Sequence, residues 1–223
     1  MSGGWLRPAV FGAMDGLVTN VSLIAGVGGG GGSQHAIVLT GLAGLAAGAF
    51  SMGAGEFVSV SSQNELIHAE VDKERHELKV NAVAEQAELA GMLRRRGVSA
   101  ATARQAAAEI SAHPEKALAV HALEELGVNP AELPSPVVAA GASLAAFAAG
   151  AVVPLLPYLL GFDAMGVALG LSAIAAIVGG GVVARLTNRP FWRGAIRQLV
   201  LGVFAAGLTY LIGLAVGGLA TSA

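Results

Sequence analysis

Five long apolar stretches leave this chain little choice of fold. They run over roughly residues 8–28, 36–62, 136–160, 163–185 and 194–220. Each meets the requirement of about 20 mostly apolar residues for a helix crossing a hydrocarbon core about 30 Å thick. Backbone groups in lipid find no water, so spanning segments of this length read as helices that satisfy their own hydrogen bonds. Only 13% of the residues are charged, against roughly 25% in soluble domains. The expected fold class is an all-α membrane protein with five transmembrane helices and a helical domain between the second and third. The expected boundaries are 1–62 for the first two spans, 63–133 for the inserted domain and 134–223 for the last three spans.

Charge is concentrated in that insert. Twelve of the fifteen acids lie between Glu65 and Glu132, and eight of the thirteen bases between Lys73 and Lys116. The connections elsewhere are short: the glycine run from Gly28 to His35, the turn Gly161-Phe162-Asp163, and a basic loop around Arg189. Pro134 and Pro136 frame the entry to the third span, where a helix start tolerates proline, and Pro154 and Pro157 inside it are expected to kink it. Small-xxx-small spacings at Gly12/Gly16, Gly44/Gly48, Gly166/Gly170 and Gly213/Gly217 predict close helix packing. Met1 to Val10 reads as the start of a retained helix, because the apolar stretch after it contains Asp15 and no small-residue cleavage site.

Lysine and arginine next to spans resist translocation. With a cytoplasmic N-terminus, all thirteen bases fall on the cytoplasmic side, which makes the insert a cytoplasmic domain. With five spans the termini lie on opposite sides. The chain has no cysteine, so thiolate metal sites, disulfides and Cys nucleophiles are excluded. No HExxH or GxSxG motif is present, which argues against an intramembrane hydrolase. No basic stripe carries interleaved aromatics, so nucleic acid is not an expected partner.

Two acids stand inside the predicted spans, Asp15 and Glu56. A charged side chain in hydrocarbon is expensive unless it is paired, protonated or wetted, and so marks a functional site by default. Thr19 and Ser22 follow Asp15 at i+4 and i+7, and Met52 precedes Glu56 at i−4, so each acid shares a helical face with further ligand atoms. Together they predict a polar path for a cation.

From Gln63 to Leu93 the residues favour helix. Glu74, Glu77, Glu85 and Glu88 fall on one face at about 100° per residue. Stacked like charges repel and gain stability only when a cation neutralises them. A straight helix would separate Glu74 from Glu85 by about 16 Å, so a break near Asn81, a poor interior helix residue, is needed to fold the second pair against the first. His121 and Glu125 form an i, i+4 pair further on, with Glu124 beside them. Carboxylates with one imidazole suit Fe2+, Mn2+, Zn2+ or Co2+ better than Cu+. A solvated acidic surface fits the same periodicity. His35 and His113 read as loop residues, and His68 and His76 have no clear partner set.

The segments Met14-Asp15-Gly16-Leu17-Val18-Thr19-Asn20, Ser51 through Gln63 (SMGAGEFVSVSSQ) and Glu124-Glu125-Leu126-Gly127 resemble the vacuolar iron transporter family, which has bacterial members, along nearly the whole chain. The resemblance implies a homodimer that exports Fe2+, often also Mn2+, from the cytoplasm in exchange for protons. It implies a transport path through Asp15 and Met52, with Glu56 at the family's second-span glutamate position. It also implies a cytoplasmic metal site on Glu74, Glu77, Glu85, Glu88 and Glu125. Where plant members carry adjacent methionines this chain has His121 and Ala122, and where some members carry a further aspartate it has Pro8.

The expected function is therefore a proton-coupled divalent metal exporter rather than an enzyme, delivering ions to the periplasm or a vacuole. Its path runs through Asp15, Met52 and Glu56, and its metal site comprises Glu74, Glu77, Glu85, Glu88, His121 and Glu125. No permanently bound cofactor is expected, since Fe2+ or Mn2+ is the cargo. The expected location is a bacterial inner membrane, or a vacuolar membrane in a eukaryote. The alternative is a membrane-anchored metal sensor or buffer, in which the spans serve only to anchor.

Overall fold

The computed structural model describes residues 4–162 and 165–221. These form eight α-helices and one short 3-10 turn at Pro130–Glu132, with no strand among the described residues. The helices are α1 (Leu6–Gly29), α2 (Gln34–Val80), α3 (Ala82–Arg95), α4 (Ala100–Ser111), α5 (Pro114–Glu125), α6 (Pro136–Leu159), α7 (Met165–Leu186) and α8 (Phe191–Thr221). Five of them, α1, α2, α6, α7 and α8, are long and apolar enough to cross a membrane. The chain divides into two compact units, one of Met1–Val58 with Pro136–Ala223 and one of Ser59–Ser135, and α2 contributes to both. Asp163 of the expected turn after the third span lies outside the described residues.

The first unit is built on backbone-to-backbone helix contacts at glycine. A Cβ on Gly16 would overlap the Phe147 carbonyl, one on Gly12 would reach 2.5 Å from the Ser143 carbonyl oxygen, and one on Gly150 would overlap Ala13. These pairs advance together along both chains, so α1 and α6 run parallel. On the same logic Gly213 lies against Gly26 and Gly217 against Gly30, so α8 also runs parallel to α1. By contrast Gly53 meets Leu144, Gly48 meets Phe147 and Gly41 meets Leu155, which makes α2 antiparallel to α6. Gly180 and Gly194 bring α7 and α8 together, with Gly180 also meeting Gln198 and Ala184 meeting Gly194, again antiparallel. Helices α1, α6 and α8 thus point one way and α2 and α7 the other, the alternation that five successive crossings require.

Of the four predicted small-residue pairs, Gly12/Gly16 and Gly213/Gly217 sit at backbone contacts, and Gly44/Gly48 meets the side chains of Leu23 and Phe147. Gly166 and Gly170 make no such contact, because among the described residues nothing lies within 4 Å of a Cβ built on either. Helix α6 continues through Pro154 and Pro157, so the expected kink does not interrupt it. His35 stands in the first turn of α2 rather than in a loop, and His113 caps α5 from outside the helix. Asn20 is a polar side chain locked inside: fully buried, it donates from Nδ2 to the Ala151 carbonyl at 2.6 Å. The direction of the helices gathers Arg7, Arg185, Arg189, Arg193 and Arg197 at one end of this unit.

The second unit packs the end of α2 with α3, α4 and α5. Leu89, Ala90, Met92 and Ala107 form one buried cluster, and Val71, Leu118 and Ala122 another. Asn81 separates α2 from α3 with φ −118° and ψ 30°, while its carbonyl accepts from the amides of Ala84 (2.8 Å) and Glu85 (3.1 Å). The helix therefore breaks at the residue whose side chain competes best for local hydrogen bonds. Ser99 caps α4 by accepting from the Thr102 amide at 3.3 Å, and Pro114 opens α5 at a position where its missing N–H costs nothing.

Candidate functional site

The break at Asn81 gives the second unit its most concentrated chemistry. It returns Glu85 of α3 toward Glu74 of α2, and α5 brings His121 and Glu125 to the same place. His121 Nδ1 lies 3.0 Å from Glu74 Oε1, 3.1 Å from Glu125 Oε1 and 3.8 Å from Glu85 Oε2. Donor atoms of Glu74, His121 and Glu125 all lie within 4.8 Å of one another. Bonds of about 2.1 Å to a first-row dication place adjacent donors about 3.0 Å apart in octahedral geometry. The two shorter contacts match that spacing.

The cluster is also electrostatically unsettled. The His121 side chain is 0% exposed and that of Glu74 14%. His121 Nε2 and Glu74 Oε1 are buried without a hydrogen-bond partner, although Glu74 Oε1 is close to Nδ1. Burial first, and then the charge of Glu125, hold the Glu74 carboxyl above the usual carboxylate range against the lowering effect of His121. Burial and Glu88 do the same to Glu85. Carboxylates offer only lone pairs, so a proton or a cation must stand between His121 Nδ1 and the oxygens it faces.

The remaining predicted members are placed differently. Glu77 accepts a 2.5 Å hydrogen bond from Asn81 Nδ2, which ties it to the helix break. Glu88 is exposed and acts on Glu74 and Glu85 through its charge. Glu124 pairs with Arg96 at 2.9 Å.

A pH dependence follows from the two raised carboxyls. A group whose pKa is higher in the folded state than in the unfolded chain stabilises the fold below its unfolded value, here 4.5, and loses that contribution as pH rises through the folded value. Glu74→Gln is therefore expected to raise the thermal midpoint of the chelator-treated full chain at pH 7, with the gain shrinking toward pH 4.5. Equal destabilisation at both values would mean that burial and the charges of Glu125, Glu85 and Glu88 do not disfavour the ionised form of Glu74.

In the first unit, Asp15 and Glu56 line one cleft of about 730 Å³. Asp15 comes from α1 and Glu56 from α2, and Thr187, Arg197 and Gln198 join them, with Arg7 at the start of α1. Asp15 sits nine residues into α1, about 14 Å from its start, so the cleft reaches from the arginine-rich end to that depth. Met52 does not line it; that side chain packs with Leu144 and Ala148 against Ala49, Phe147 and Ala151. Thr19 and Ser22, one and two turns along from Asp15, do not line it either. The uncharged polar lining, Thr187 just past the end of α7 and Gln198 of α8, had no signal in periodicity, because it depends on which helices surround α1.

The chain matches the VIT family over residues 6–214, across both units. The chain belongs to the VIT family. It is 35% identical over 215 residues to a vacuolar iron transporter of Acanthamoeba castellanii, covering 94% of this chain and 78% of that protein. It is 35% identical over 209 residues to vacuolar iron transporter homolog 1 of Oryza sativa subsp. japonica, covering 92% and 71%. To vacuolar iron transporter homolog 2 of Arabidopsis thaliana it is 34% identical over 220 residues, covering 94% and 85%. This VIT family member is an integral membrane protein whose acidic groups assemble at two places: the cleft of Asp15 and Glu56, and the cluster around His121.

Proposed function

We propose that this chain moves divalent metal, Fe2+ and also Mn2+, out of the cytoplasm in exchange for protons, working as a homodimer. Metal transport rests on the family and on the names of its relatives. The observation that carries the coupling is the convergence of Asp15 and Glu56, from two helices, on one cleft among the spanning segments. Carboxylates at such depth persist only when something neutralises them, and a dication and protons compete for the same oxygens. Loading metal releases protons, and unloading it takes them up, so flux in one direction drives the other.

The arginines at one end of the first unit support a cytoplasmic N-terminus, because basic residues near spans stay in the cytoplasm. On that reading the cleft opens to the cytoplasm beside Arg7 and Arg197. The cluster of Glu74, Glu85, His121 and Glu125 then collects metal on the same side, with Glu77 and Glu88 contributing charge. In a single-cysteine chain carrying Ser33→Cys, which is exposed between α1 and α2, labelling is expected from outside; reaction from the cytoplasm alone would reverse the orientation.

Reconstitution into liposomes tests the whole reading. A pH gradient is expected to drive Fe2+ and Mn2+ across the bilayer with protons moving the opposite way. Metal binding with no flux under any gradient would make the protein an anchored metal buffer instead. Glu74→Ala combined with Glu77→Ala is expected to weaken metal binding by the full chain in calorimetry; an unchanged affinity would leave the acidic face as surface charge.

A further inference from the structure

We infer that His121 is the ion-selecting ligand of the acidic cluster and that it binds the cargo through Nδ1. The inference deepens the transport reading and rests on the cluster taking metal at all.

The geometry leaves the ring one useful edge. Its side chain is 0% exposed, so it does not swing out to water. Nδ1 faces oxygens of Glu74, Glu125 and Glu85 at 3.0, 3.1 and 3.8 Å. Nε2, on the opposite edge, is buried with no hydrogen-bond partner. A dication seated among the oxygens takes the place of the proton shared there, and Nδ1 supplies a lone pair. The ring proton then resides on Nε2.

That donor set is one imidazole nitrogen among carboxylate oxygens. Purely oxygen sites suit Mg2+, Ca2+ and Mn2+, whereas imidazole shifts preference toward Fe2+ and the later divalent ions in the order Mn2+ < Fe2+ < Co2+ < Ni2+. His121 thus ranks Fe2+ and later first-row ions above Mn2+, which the carboxylates still bind, and above the abundant hard cations. The orphaned Nε2 adds a second property. Metal-ligating histidines ordinarily donate their second N–H to a carboxylate or carbonyl, which strengthens the ligand. With no such acceptor among the described residues the bond is weaker, as suits an ion that must be passed on.

A buried histidine bridging two helices through carboxylates explains the short distances without any metal, so the test must read selectivity rather than folding. Co2+ and Mn2+ are titrated into the full-length chain and into His121→Gln, which keeps polar atoms but removes the imidazole. Co2+ affinity is expected to fall by at least the ten- to a hundredfold, on the order of what loss of an outer-shell partner costs, while Mn2+ affinity changes little. In parallel, Zn2+ is added to the wild-type chain with 15N-labelled histidine. One histidine is expected to show a metal-bound Nδ1 and a protonated Nε2, and this arm decides the matter if His121→Gln fails to fold. An unchanged Co2+ to Mn2+ ratio, or no Zn2+-dependent Nδ1 signal, with metal still bound, would overturn the role of His121 and leave the cluster intact. Failure of the wild-type chain to bind Co2+, Mn2+ and Zn2+ would overturn the cluster and the inference together.

Discussion

Asp15→Asn is expected to bring pH-driven Fe2+ flux in proteoliposomes down to the level of protein-free vesicles. Asparagine keeps the shape and an oxygen in the cleft but removes the charge that a dication or proton has to balance. The stability effect should have the opposite sign. A carboxylate at the centre of a span costs roughly 2.5–3.5 kcal/mol on insertion scales, so the variant is expected to unfold at the same temperature as the parent or a higher one. Lost transport with retained stability separates a working group from a structural one. If flux persists in Asp15→Asn, the cleft it shares with Glu56 is not the route, and the coupling scheme falls with it.

Gly16→Val is expected to abolish the folded state that can be extracted in detergent. Even the first side-chain carbon overlaps the Phe147 carbonyl of α6, and the clash is with backbone, so no rotamer relieves it. Overpacking against movable side chains already costs about 1–3 kcal/mol. Here α1 must separate from α6 along a contact that also includes Gly12, Gly150 and the hydrogen bond from Asn20 to Ala151. Gly166→Ala and Gly170→Ala make the contrast. They have the same spacing in the sequence but open space around them among the described residues, so each is expected to be neutral or to stabilise by up to about 1 kcal/mol through the reduced entropy of the unfolded chain. The measurement is monodisperse yield and thermal midpoint; equal behaviour of the two pairs would mean that the α1–α6 contact does not hold the unit together.

These two glycine pairs mark the limit of what spacing shows. Gly12/Gly16 and Gly166/Gly170 look alike along the chain, and only the approach of α6 to α1 makes the first indispensable. The same limit applies at the acidic cluster around His121. Helical periodicity placed four glutamates on one face and identified Asn81 as the residue where the helix must break. It did not distinguish Glu85, which reaches His121, from Glu88, which stays exposed, or show that Glu77 is tied to Asn81 and Glu124 to Arg96. Met52 and Glu56 lie one turn apart on α2, yet Glu56 lines the cleft while Met52 packs against Phe147. A difference of about 40° around a helix is enough to turn one side chain into a cavity and the other into a core.

The amino-acid order alone determined the five crossings, the gathering of charge between the second and third, the one-sided distribution of arginine, and the acids that have no business in lipid. Those properties are sums along the chain: hydropathy over about twenty residues decides where a segment resides, and nothing distant can reverse it. The tertiary structure decided which of these groups meet. Whether Glu74 faces His121, whether Asp15 shares a cleft with Glu56, and whether a glycine touches a neighbouring backbone all depend on how helices cross. A crossing is set by shape matching between two surfaces far apart in sequence, and that matching changes with a single added carbon.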